Sequence, residues 1–148
     1  MATNQGSRAK SGTQARLVHA GTWTEYSEYT GSATLAAGDI IQMVKVPKGA
    51  RLVDLAVAWN RLAAASTGSA VILNVGDGVD NDRYMTQLSA SSTSIQRGIQ
   101  RFDGMGYEYT ADDTIDIVME DLGTSALETA AAVFRMWATL SIDGSENL

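Results

Sequence analysis

Cysteine is absent from the 148 residues, which excludes disulfides, thiolate nucleophiles and thiolate-bound zinc. Packing alone must hold the fold. Histidine occurs once, as His19; one imidazole cannot build a multi-histidine metal centre, and no Gly-x-Ser-x-Gly elbow exists for it to serve. His19 is therefore read as structural. Proline also occurs once, at Pro47. No run of about 18 apolar residues is present to cross a membrane, and the opening MATNQGSRAKSGTQAR has no apolar signal core. The chain is expected to be made in the cytoplasm and to engage no membrane.

Bases are scarce, and they are unevenly placed. The net charge is −6, yet the first 24 residues hold Arg8, Lys10 and Arg16 and no acid, leaving 8 bases against 17 acids in the remainder. A body at −9 repels a phosphate backbone, so nucleic acid is not an expected partner. Small polar residues dominate the start, and such a segment buries too little apolar surface to offset an ordering cost of about 1–2 kcal/mol per residue. Residues 1–37 are expected to form an arm that orders against a neighbouring protein, with residues 38–148 as one β-sandwich domain. In the arm Arg8, Lys10 and Arg16 would guide docking, and Trp23, Tyr26 and Tyr29 would anchor it, because interface hot spots favour aromatics and arginine. On this reading, removing residues 1–30 costs partner binding far more than melting temperature.

What is present is β-type sequence. Thr, Tyr, Trp and Val mix in LVHAGTWTEYSEYTG, and GDIIQMVKVPKGARLVDLAVAWN reads as strands at about 39–46 and 51–60. Between them Pro47 suits a turn and Gly49 can take a positive φ. Val53, Leu55, Val57 and Trp59 are expected on one face of the second strand. SAVILNVGDG, DRYMTQLSAS, SIQRGIQRF, GYEYT, TIDIVMED and AAVFRMWATLSID complete a set of about eight strands with no long amphipathic helix, although residues 125–132 leave a helical start open. The expected fold is all-β, a β-sandwich or jelly roll with an extended N-terminal arm.

Two acidic stretches could carry chemistry. In GYEYTADDTIDIVMED, strand parity sends Asp116 to the face opposite Ile115, Ile117 and Met119, while Asp112 and Asp113 suit a hairpin connection through bonds to nearby backbone N–H groups. In VGDGVDNDRYM, Asp77, Asp80, Asn81 and Asp82 offer hard oxygen donors of the kind Ca²⁺ takes. The spacing is not that of an EF-hand, and pairing of Arg83 with a loop carboxylate is the preferred reading. A glycosidase-like carboxylate pair lacks a recognisable site. The three tryptophans, Trp23, Trp59 and Trp137, suit a core or an interface more than a sugar platform. No enzyme, cofactor or metal is expected.

The succession GDIIQMVKVPKGARLVDLAVAW, ILNVGDGVDNDRYM, GYEYTADDTIDIVM and VFRMWATLSI resembles small structural proteins encoded among the head genes of tailed bacteriophages, the capsid decoration or cement proteins. The likeness runs over about residues 38–142. It implies a non-enzymatic β-sandwich seated on an icosahedral virion shell, often as a homotrimer, with the major capsid protein and itself as partners. A carbohydrate- or Ca²⁺-binding adhesin, or a head-completion or tail component, is the alternative.

Overall fold

Among the described residues the chain forms β1 (Thr3–Gln5), β2 (Gly21–Thr30), β3 (Ile40–Val46), β4 (Ala50–Trp59), β5 (Ile72–Asp77), β6 (Met85–Ser89), β7 (Ser94–Arg97), a 3-10 turn (Phe102–Gly104), β8 (Asp113–Asp121) and β9 (Val133–Ile142). These come from a computed structural model that describes residues 3–5, 21–31, 35–60, 62, 71–121 and 132–142.

The antiparallel pairs are nested: β2 with β9, β3 with β8, β4 with β7 and β5 with β6. One long hairpin has thus been rolled over on itself. Further pairing of β4 with β9 and β5 with β8 gives sheets ordered β1-β3-β8-β5-β6 and β2-β9-β4-β7. This is a jelly-roll sandwich, as the sequence predicts, with β1 added parallel to β3.

β9, within the expected run AAVFRMWATLSID, alternates. Phe134, Met136, Ala138, Leu140 and Ile142 are buried, and the residues between them face outward. From β8, Ile115, Ile117 and Met119 meet them across the core with no exposure. At the Pro47 turn Gly49 adopts φ +83°, and its N–H donates to Tyr109 O at 2.7 Å.

Three expectations are corrected. Val53 is 55% exposed rather than inward, because a bulge between Leu52 and Asp54 switches the parity of β4. Ala50 and Leu52 therefore face the core before it, and Leu55, Val57 and Trp59 after it. GYEYT is not a strand of a hairpin with β8; it makes a single bridge, Arg51 to Glu108, while β8 is taken by β3 and β5. Asp112 still stabilises a turn, but that of Pro47, by accepting the Lys48 N–H at 2.8 Å.

The third correction concerns the arm boundary at residue 37. Residues 21–30 are the edge strand β2, paired to β9 from Gly21↔Ile142 to Thr30↔Val133. Removing residues 1–30 would strip a strand from the sandwich, so the expected small change in melting temperature does not follow. Arg8, Lys10, Arg16, His19 and residues 125–131 of the possible helix at 125–132 lie outside the described residues.

Candidate interaction surfaces

The loop between β5 and β6 is built by its own first carboxylate. Asp77 Oδ1 accepts the N–H groups of Val79 and Asp80 at 3.0 and 2.9 Å, an Asx turn. Asp77 Oδ2 takes the Nε–H of Arg83, and the Arg83 guanidinium lies 3.6 Å from the centroid of the Tyr107 ring. This is the local pairing read from the sequence. Asp80 Oδ1 accepts the Asp82 N–H at 3.3 Å, and Asp82 Oδ2 accepts from Arg101 at 2.8 Å. The loop carboxylates are thus occupied by backbone and arginine, and no group of three acidic or histidine side chains is placed to hold a metal among the described residues.

The segment after β7 is tied to the same end. Gln100 N–H donates to Tyr84 O at 2.8 Å, Tyr84 and Tyr109 share a hydroxyl bond of 2.6 Å, and Tyr107 meets Tyr109 edge-on at 5.2 Å. Burial pushes both bonded phenols well up, so both stay neutral. Gly104 sits so close that a Cβ would meet Arg83 O at 2.6 Å and the Tyr84 ring at 2.7 Å. From this braced platform Val79, Phe102 and Met105 protrude, 81%, 89% and 67% exposed. A phenylalanine so exposed on a fixed turn is an unpaid hydrophobic cost unless a partner covers it.

A second surface is the outer face of the four-stranded sheet. Register puts Tyr26, Trp137, Ala56 and Arg97 in one row and Glu28, Arg135, Ala58 and Ile95 in the next. Tyr26 and Trp137, both about two-fifths exposed, lie 4.8 Å apart at a 47° tilt. Glu28 accepts from Arg135 Nε at 2.8 Å and from the Tyr26 hydroxyl at 2.9 Å, and those bonds hold its carboxyl below the ordinary value. The small Ala58 floors a hollow of about 300 Å³ walled by Ile95, Val133, Arg135 and Thr93.

The outer face of the other sheet is different. Asp116 is only 2% exposed, opposite Gln42 on β3 and Gly76 on β5. Gly76 is roofed by the backbone of Asp80 and Asn81, which leaves no room for a Cβ. Neither Asp116 Oδ1 nor Thr114 Oγ1 has a hydrogen-bond partner. Burial pushes the Asp116 carboxyl up to about 7; Asp113 and Asp77 add to the rise, and the Thr114 hydroxyl, close by but out of bonding geometry, opposes it.

Of the expected anchors, only Tyr26 faces outward. Tyr29 is 5% exposed and packs on Phe134 with ring centroids 6.2 Å apart, and Trp23 packs against the core. Both are spent on the sandwich because they sit on the inward parity of β2. Trp59 is also internal, its Nε1–H donating to Ser92 O at 3.1 Å. Phe102, Met105 and Ile95 were not legible as surface residues, since each reads as one more apolar position in a β-rich chain.

No family model and no curated protein sequence matches the chain. Solved structures do. The fold is shared with chains of phage capsids. In the capsid of Ralstonia phage GP4 a chain at 14% identity superposes with a TM-score of 0.77, covering 97% of this chain and 99% of that one. A chain of the cyanophage Pam1 capsid asymmetric unit gives 0.62 at 18% identity, covering 92% and 96%. A chain of the acidic stable capsid structure of Helicobacter pylori bacteriophage KHP30 gives 0.51 at 12% identity, covering 84% and 90%.

Proposed function

We propose that this chain is a non-enzymatic structural component of a phage virion, a decoration protein that binds the capsid shell and clamps adjacent major capsid subunits. The observation that carries this reading is the reciprocal coverage of the likeness, 97% of this chain and 99% of the Ralstonia phage GP4 capsid chain. The shared fold thus spans nearly all of that capsid chain. A jelly roll by itself hosts many functions; what favours a binding role here is two separate exposed apolar surfaces on one sandwich.

The arm keeps its part in this reading, shortened. The segment between β1 and β2, residues 6–20 with Arg8, Lys10 and Arg16, reaches a neighbouring subunit, and its charge opposes the acidic body. Tyr26 beside Trp137 offers an aromatic anchor on the sheet face. The protein acts as an oligomer, a trimer being the state that suits three-fold positions on a shell.

Co-sedimentation of the purified chain with undecorated shells tests the function, followed by imaging of the complex. Saturable binding with added density at three-fold or quasi-three-fold positions is the expected result. A chain that stays in the supernatant at all concentrations ends the reading. A chain starting at Gly21 that binds as tightly as the full chain would remove the arm from it.

A further inference from the structure

We propose that the chain associates head to tail with a second copy of itself, the Phe102–Met105 knob of one copy entering the hollow beside Ala58 on the next. This deepens the oligomer of the capsid reading by naming its contact, and its test in solution needs no shells, so that the two can fail separately. The first support is shape. Phe102 and Met105 stand clear of the body at 89% and 67% exposure, on a turn pinned by Gly104 against Arg83 and Tyr84. The hollow, about 300 Å³ and floored by Ala58 with Ile95 and Val133 at its sides, is roomier than the roughly 150 Å³ that accepts a benzene ring.

Charge is the second support. Asp77, Asp80, Asp82 and Asp103 stand at the knob's end against two bases: Arg83, which pairs with Asp77 and Asp80, and Arg101, which pairs with Asp82 at 2.8 Å and Asp103 at 3.5 Å. Around the hollow the balance reverses: Arg97 and Arg135 stand against one acid, Glu28. The two surfaces therefore attract each other, whereas an acidic knob is repelled by anionic lipid.

Position is the third. The knob is fixed to Arg83 and Tyr84, at the end of the sandwich where β5 finishes, β8 begins and Ala50 opens β4. The hollow lies beside Trp59, at the other end of β4. Ten residues of strand separate the two ends, about 30 Å at roughly 3.3 Å per residue, so a knob held on its own body cannot fill its own hollow. Because the two patches share no residue, the contact is heterologous: each copy offers one knob and one hollow, and the assembly closes into a ring or extends as a chain.

The full chain in solution tests this. Sedimentation velocity over rising concentration is expected to show association that Phe102→Ser with Met105→Ser weakens about 30-fold or more, the scale of a central aromatic anchor, with the melting temperature unchanged because both side chains are already in water. The absence of cysteine allows a direct check. Chains carrying Asp103→Cys, mixed with chains carrying Thr93→Cys and oxidised, are expected to give a mixed disulfide dimer, and Phe102→Ser in the first partner should abolish it. Undiminished association of the Phe102→Ser, Met105→Ser chain overturns the proposal, as does a mixture that yields no mixed dimer. A wild-type chain that stays monomeric while Phe102→Ser removes binding to capsid shells overturns it too, since the knob would then serve the shell.

Discussion

The two sheets of this sandwich spend their outer faces in opposite ways. Over the five-stranded sheet the chain folds back on itself, and the loop at residues 78–82 roofs Gly76, so that Asp116 ends beneath it with an oxygen lacking a partner. Over the four-stranded sheet nothing among the described residues folds back, and Tyr26, Trp137 and Ile95 face water at 41%, 42% and 61% exposure. One face buries a charge at a cost in stability, and the other exposes apolar surface at a cost in solvation. The first cost is internal and depends on pH. The second is relieved only by a partner.

Breaking the charged side should have the largest effect. Arg83→Ala leaves Asp77 buried without its cation and removes the guanidinium from the Tyr107 ring. A loss of about 3–5 kcal/mol is expected, as for other buried pairs broken from one side, read as a fall in denaturation midpoint with the loop end loosened in hydrogen exchange. A loss under about 1 kcal/mol would mean that the pair is solvated in practice.

The next effect is a gain. Asp116 folded titrates near 7, against about 3.9 in an unfolded chain. Between those values the native state holds a proton that the unfolded state has released, so stability falls as pH rises from about 4 to about 7. At 1.36 kcal/mol per unit, Asp116→Asn should stabilise the protein by up to about 4 kcal/mol at pH 8 and by little at pH 4. Urea melts of both chains across this range check it; parallel pH profiles would place the charge elsewhere.

On the aromatic face the expected stability changes are smaller. Tyr26→Ala breaks the pair with Trp137 and the bond to Glu28, with a loss of about 1 kcal/mol in a thermal melt, while shell binding should fall by tenfold or more if this face docks. The smallest effect belongs to β1, whose three residues pair with Ile40, Ile41 and Gln42. A chain starting at Gly21 should lose no more than about 1 kcal/mol. A cooperative loss of several kcal/mol would make the N-terminal segment part of the core.

Much of this was legible along the chain. AAVFRMWATLSID read as a strand and holds β9, and the Pro47 turn fell where one proline and Gly49 predict it. Parity also sent Asp116 away from Ile115 and Ile117. It could not tell that the far side would be roofed, because that depends on where the loop holding Asp80 and Asn81 returns. Val53 was misplaced for a similar reason: a bulge depends on the partner strand, and β4 gives no local sign of it. Trp23 and Tyr29 read as arm anchors until β9 supplied the strand that turns them inward.

The sequence by itself determined the strand class, the absence of cysteine, and the acidic body, since composition and side-chain period need no long-range contact. Tertiary structure alone decided which apolar residues stay outside and which carboxylate goes in. Phe102 and Phe134 are the same residue type in similar β-rich text, yet one is 89% exposed and the other fully buried. The physical reason is that burial belongs to pairs of surfaces: β9 lies between β2 and β4 and faces a second sheet, whereas the turn at Phe102 is fixed from behind by Gly104 and has only water in front.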